Sequence, residues 1–292
     1  MNLMNKLNNI DWHVTDRCNL RCVSCGHMCP LVDYTNTNTD RTVEDAERDF
    51  SILYKVTNNG EYIDNISLTG GECTLNKNLP DIIKVAYKYF PNKINLWSNC
   101  INLSLYTPEL INAIKEYNIK VNITLYKPKR IETIENFFYN KEIQYVIYTK
   151  DFTNNEEHNP EFFDKFFTLE EIPGNKDLLY CEAKFNCCQL IDQKLYVCQY
   201  VAYLHYLINK FGNDIGNKIG YDSSNKYLDL TQVKDYQEIS DYIEYYNEDI
   251  CQHCLDKWME NDLDNKILKR LQPWRISNKE INEWIIQKIE DL

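Results

Sequence analysis

Residues 14–25 read VTDRCNLRCVSC, and they follow directly on a short segment, 9–14, with strand character. Cys18, Cys22 and Cys25 stand in a C-x3-C-x2-C spacing on what must be a loop. Three thiolates on one short loop can ligate three irons of a [4Fe-4S] cube and leave the fourth iron open. An open position is what a catalytic metal keeps. The same spacing also suits a zinc loop completed by Cys29 or His27, or three packed thiols, so the loop has to be read in its surroundings.

Working outward, apolar runs alternate with amphipathic ones through the first 150 residues. A helix is predicted over 43–54, with Val43, Ala46, Phe50 and Leu53 on one face and Thr42 with Asp45 as its cap. A second strand over 63–68 runs into SLTGGECTL, residues 67–75. A helix over 79–89 starts at Pro80. Strands follow at 94–97, 120–125 and 143–148, with helices at 108–117 and 130–139 between them. Strand alternating with helix predicts parallel βαβ units and a sheet covered on both faces. The alternation breaks near 169–175. Beyond it come dense cysteines, a hairpin over 190–197, polar loops, and a last helix from Ser277. Glu280 completes a capping box there, and Ile281, Trp284, Ile285 and Ile289 form an apolar stripe. The expected division is 1–175 and 176–292.

Composition bounds the function. The 292 residues carry 32 Lys plus Arg against 44 Asp plus Glu, a formal charge of −12, which argues against a nucleic-acid partner. Hydrophobic residues make up 43% of the chain, ample for a core. No run approaches the roughly 18 apolar residues of a membrane span, and the N-terminus has no apolar signal core, so a cytoplasmic protein is predicted. Its 12 cysteines are then a poor match to disulfides and a better one to metal or redox chemistry. With only 8 glycines in the chain, the adjacent Gly70 and Gly71 need a reason.

TDRCNLRCVSC followed, after the second strand, by SLTGGECTL resembles the radical S-adenosylmethionine (SAM) family. The resemblance implies a partial (β/α)6 barrel with its site at the C-terminal ends of the strands. It implies a [4Fe-4S] cluster on Cys18, Cys22 and Cys25, with SAM chelating the open iron. It gives Gly70, Gly71 and Glu72 to the methionine end of SAM, where glycines let backbone approach a ligand and a carboxylate can pair with an ammonium. Ser98 and Asn99 match positions of further polar contacts to SAM, and Asn122 or Thr124 would reach the ribose. Two positions depart from the family pattern: Ser24 stands where relatives carry an aromatic residue, and Cys73 where they tend to have proline. His27 is the available substitute for the missing ring.

Cys181, eleven residues, Gln193, four residues and Cys198, with Cys251-Gln-His-Cys254 downstream, resemble the SPASM/Twitch extension of the same family. This implies an auxiliary [4Fe-4S] cluster on Cys181, Cys198, Cys251 and Cys254, with Cys187 or Cys188 able to replace Cys181. Four thiolates also suit structural zinc. Gln193 replaces the glycine of the pattern, so its hairpin turn is expected to be built differently. Cys29, Cys73 and Cys100 read as packed small residues. CGHMCP, KLYVCQYVAYLHYL and PWRISNKEINEW resemble a subgroup encoded beside glycosyltransferases. The implied activity is reductive cleavage of SAM to a 5′-deoxyadenosyl radical that takes hydrogen from a sugar, aminocyclitol or similar small molecule. Oxidation, epimerisation or rearrangement would follow, with a flavodoxin- or ferredoxin-type electron donor. No catalytic side chain is assigned from sequence. The alternatives are a ribosomal-peptide maturase and, more remotely, a non-catalytic zinc protein. The first strand starts near residue 9, leaving no room before it for a leader-binding module, which favours the small molecule.

Overall fold

The computed structural model describes residues 5–20, 25–32, 39–148, 165–167, 181, 184–211, 217, 226–246, 251 and 254–256. Cys22, Ser24, the division at 175/176 and the helix expected from Ser277 lie outside the described residues.

Strand β1 (Ile10–Thr15) alternates in the way a two-sided strand must. Ile10, Trp12 and Val14 are buried, and Trp12 lies against Phe50 of α1 (Val43–Val56) with ring centroids 5.0 Å apart. The cap of α1 forms as the sequence predicts: Asp45 N donates to Thr42 Oγ1 at 3.1 Å and Thr42 N to Asp45 Oδ2 at 2.9 Å. The chain then repeats strand and helix as β2 (Ile66–Gly70), α2 (Leu79–Tyr89), β3 (Ile94–Ser98), α3 (Pro108–Glu116), β4 (Lys120–Thr124), α4 (Ile131–Asn140) and β5 (Tyr145–Tyr148). β2 starts later than its apolar run suggests. Ile63 makes only an isolated bridge to Leu7, and the parallel register with β1 opens at Ile10↔Ile66.

The five strands lie in chain order in one sheet, each parallel to the next, as in a partial β/α barrel. The free edge of β1 is taken by β7 (Cys188–Ile191), also parallel, with Ile10 opposite Cys188. β8 (Lys194–Tyr196) and β9 (Leu228–Asp229) continue the sheet antiparallel, so strands from the cysteine-rich second half extend the first. Helix α5 (Gln199–Phe211) packs on this hairpin, and α6 (Tyr236–Tyr245) follows it. β6 (Lys165–Phe167) and β10 (Cys254–Asp256) form a separate antiparallel pair. One continuous apolar core runs from Leu7 to Tyr246. Among the described residues no helix is long and apolar enough to cross a membrane.

The β7–β8 turn corrects an expectation. Asp192 and Gln193 take φ of 49° and 63°, the two left-handed residues of the tight turn that suits a twisted hairpin. The turn is therefore built in the usual way, with glutamine in a conformation glycine takes more easily. Tertiary contacts hold it there: Gln193 N donates to Asp49 Oδ1 at 3.0 Å, Leu230 N donates to Gln193 O at 2.9 Å, and Arg41 and Arg48 both pair with Asp192.

Candidate functional site

The glycine pair explains itself at the C-terminal end of β2. Gly70 has a φ of 138°, and a Cβ there would lie 2.4 Å from the Thr15 carbonyl oxygen. A Cβ on Gly71 would lie 2.1 Å from the Arg17 carbonyl oxygen. The two backbones are zipped together, Gly71 N donating to Thr15 O and Glu72 N to Arg17 O, both at 2.8 Å. The turn after β2 thus clasps the start of the cysteine loop, and a side chain at either glycine would push them apart.

Glu72, 1% exposed, spends its carboxylate on neighbours. Oε1 accepts from Thr74 Oγ1 at 2.6 Å and Ser98 Oγ at 2.9 Å; Oε2 accepts from Asn99 N at 2.7 Å. Burial pushes its pKa up against these donors. Glu72 does not line the adjoining cavity, whereas Ser98 and Asn99, which it positions, do. Asn99 Nδ2 in turn donates to Asn19 Oδ1 at 2.7 Å, tying β3 to the cysteine loop.

Cys18 and Cys25 line the same end of that cavity as Gly70, Gly71, Ser98 and Asn99; Cys22 falls outside the described residues. A hydrogen bond from Cys29 holds the Cys25 thiol down to about 6, outweighing burial, with His27 adding to it. That favours the thiolate, the form that binds metal. These soft donors fit an iron–sulfur or zinc centre. Among the described residues no three His, Cys, Asp or Glu side chains converge as a metal site. Cys29, Cys73 and Cys100 are buried, as expected, and burial raises the Cys100 thiol to about 11.

His27 lines the cavity with its Nδ1 2.9 Å from the Gly70 carbonyl oxygen, and burial lowers its pKa. Its ring stands edge-on to His13 at 4.8 Å and tilted to Tyr203 at 5.3 Å. His13 Nδ1 lies 2.7 Å from Asp16, which also accepts from the Tyr206 hydroxyl at 2.8 Å. Tyr203, Tyr206 and the lining residue Gln199 come from α5, so a helix from the second half supports the cysteine loop. Sequence reasoning missed these residues; their signal, the tyrosine-rich KLYVCQYVAYLHYL, read only as a resemblance.

The cavity, about 530 Å³, continues down the inner face of the sheet. Barrel interiors are normally filled by branched apolar side chains. Here the inward positions are Asp11 on β1, Ser67 and Thr69 on β2, Asn95 and Trp97 on β3, and Lys120, Asn122 and Thr124 on β4. Asn122, 3% exposed, has an Oδ1 without a hydrogen-bond partner. A polar lumen of this size is a candidate ligand site.

In the second cysteine set, burial, with nearby Cys181 and Cys251 adding to it, raises the Cys198 thiol to about 12. Cys188 is enclosed in the sheet opposite Ile10, whereas Cys187 lines the lumen. Cys254 lies on β10, opposite Phe167.

No family model matches the chain, and no curated protein matches it. Among solved structures it is similar to native anSMEcpe with bound AdoMet, at 19% identity and a TM-score of 0.35 over 48% of this chain and 43% of that one. The chain therefore spans less than half of that relative's length. It is also similar to SuiB of Streptococcus suis bound to S-adenosylmethionine, at 12% identity and a TM-score of 0.37 over 86% of this chain and 78% of that one. The same protein bound to precursor peptide SuiA aligns at 10% identity and a TM-score of 0.37, over 86% and 76%.

Proposed function

We propose that the chain is a radical SAM enzyme acting on a small polar molecule. The observation that carries this reading is the clasp of Gly70-Gly71 on the loop of Cys18 and Cys25, set at the C-terminal end of a polar lumen. Cys18, Cys22 and Cys25 would hold a [4Fe-4S] cluster. When bound, that cluster supplies the electron that splits SAM into methionine and a 5′-deoxyadenosyl fragment able to take hydrogen from a substrate. The chain's own residues position the reactants. The backbone at Gly70 and Gly71 receives the methionine end, Glu72 orients Ser98 and Asn99 toward it, and Asn122 with its unmatched Oδ1 accepts from a ligand hydroxyl. Thr124 would stand beside the ribose.

An auxiliary [4Fe-4S] cluster is proposed on Cys181, Cys198, Cys251 and Cys254. The nearness of Cys181 and Cys251 to Cys198 supports it, and the burial of Cys188 inside the sheet favours Cys181 over Cys188. The proposed electron donor is a flavodoxin- or ferredoxin-type protein of the cytoplasm.

Anaerobic reconstitution with dithionite and SAM, reading iron, sulfide and 5′-deoxyadenosine together, tests the reading. Product is expected from wild type and none from the Cys18→Ala, Cys22→Ala, Cys25→Ala triple variant; product from that variant would sink it. Deuterium transfer into 5′-deoxyadenosine from a labelled sugar or cyclitol supports the small-molecule substrate, and transfer from a genetically linked peptide alone refutes it.

A further inference from the structure

Asp11 faces the cavity from β1, and no other carboxylate lines it among the described residues. Its Oδ1 accepts from Asn9 Nδ2 at 2.7 Å and its Oδ2 from Gln189 Nε2 at 2.8 Å. Both amides are themselves fixed. Asn9 Oδ1 accepts from Ser67 Oγ at 2.7 Å, and Ser67 Oγ from Trp97 Nε1 at 3.2 Å; Gln189 Oε1 accepts from the Tyr203 hydroxyl at 3.2 Å. Four strands and α5 thus hold one carboxylate in place.

The amides and hydroxyls of that network are neutral, and His27 lies near enough to lower the Asp11 pKa without overcoming burial. No Lys, Arg or His among the described residues forms an ion pair with Asp11. Lys120, which lines the cavity from the start of β4, is not paired with it either. Two neutral donors leave about half of the carboxylate's lone-pair positions open. A charge removed from bulk water is costly, and burial pushes the Asp11 pKa up by more than His27 and the two amide donors lower it. Asparagine would give nearly the same shape without that cost, so the charge is not needed to build the barrel.

The same lumen holds a second acceptor in want of a donor, Asn122 Oδ1. It also has an aromatic wall, Trp97 and Tyr148, stacked with centroids 5.1 Å apart and planes at 29°. A carboxylate, an open acceptor and an electron-rich face all favour a ligand rich in donors and carrying positive charge.

We propose that Asp11 selects the substrate by binding an ammonium group carried on a hydroxylated ring, with Trp97 as the wall against which that ring lies. This deepens the small-molecule reading above and rests on it for the reaction that follows.

Calorimetric titration of the full chain as purified tests it with matched amine and alcohol pairs: glucosamine against glucose, and scyllo-inosamine against scyllo-inositol. At least one amine is expected to bind about tenfold more tightly than its alcohol, or about 1.4 kcal/mol. Asp11→Asn should erase that preference, while Trp97→Phe should weaken both members of the pair and keep it. The wild-type comparison needs no variant and stands even where Asp11→Asn does not fold. Equal binding of amine and alcohol in both pairs, no binding of either amine, or a preference kept by folded Asp11→Asn would overturn the assignment. SAM cleavage is measured separately, so loss of amine selectivity leaves the radical SAM reading intact, and absent cleavage leaves the amine site intact.

Discussion

Gly71→Ala tests whether the turn after β2 is a clasp on the cysteine loop. An ideal Cβ on Gly71 lies 2.1 Å from the Arg17 carbonyl oxygen, 2.5 Å from its carbonyl carbon and 2.9 Å from the Asp16 carbonyl oxygen. All three are backbone atoms, so no side-chain rotation relieves the overlap. The closest approach is about 1.3 Å short of ordinary contact, and the two segments must part by about that much. Parting them breaks the bonds from Gly71 N to Thr15 O and from Glu72 N to Arg17 O. At about 1 kcal/mol for each bond, plus about 1–2 kcal/mol of overpacking, the expected loss is about 3–4 kcal/mol. That is a large fraction of the stability of a typical domain. Gly26→Ala is the control: the three atoms nearest its Cβ are the terminal atoms of the Gln199 side chain, at 2.6 to 2.7 Å. That end can swing away, so the cost stays below about 1 kcal/mol. Equilibrium urea unfolding of both variants gives the comparison. The proposed SAM cleavage gives the functional readout, since moving the loop that carries Cys18 by about 1 Å should cost about 100-fold in its rate. A Gly71→Ala protein as stable as Gly26→Ala, with cleavage unchanged, refutes the clasp.

Gln193→Gly should stabilise the chain by up to about 1 kcal/mol, because relief of left-handed strain exceeds the added freedom of the unfolded chain; a fall in the thermal midpoint would show that the glutamine side chain itself contributes. Asp45→Ala should cost about 1 kcal/mol at neutral pH through the lost capping box. Burial raises the Asp45 pKa, but the Thr42 hydrogen bonds and Arg48 outweigh it and leave the pKa lowered from 3.8. The contribution is therefore present above 3.8 and lost as pH falls through the depressed folded value, so urea midpoints of variant and wild type should converge in acid. Cys198→Ala should lower reconstituted iron from about eight to about four atoms per chain, and zinc in place of the second four would reassign the site.

Local features were legible in the sequence because their causes are local. The Thr42–Asp45 box marks the start of α1, Pro80 the start of α2, and apolar spacing each buried face. The cysteine spacing and Gly70-Gly71-Glu72 were visible for the same reason: a short motif carries its chemistry in its own residues. Strand boundaries were less so. β2 begins at Ile66 and not at Ile63 because a strand exists only where a neighbour matches its register, and Ile10 sets that register. The β7–β8 turn is a sharper case. Gln193 has no local reason for a φ of 63°, and the Asp49 carboxylate across the molecule supplies one. Composition and pattern thus determined the alternating β/α order, the caps and the candidate cysteine ligands, each a property of neighbours along the chain. Only the tertiary structure decided that Asp11, Ser67, Trp97 and Asn122 share one hollow lumen, and that Tyr203 of α5 braces it. Parallel pairing stacks the inward positions of separate strands side by side, and no sequence distance records that proximity.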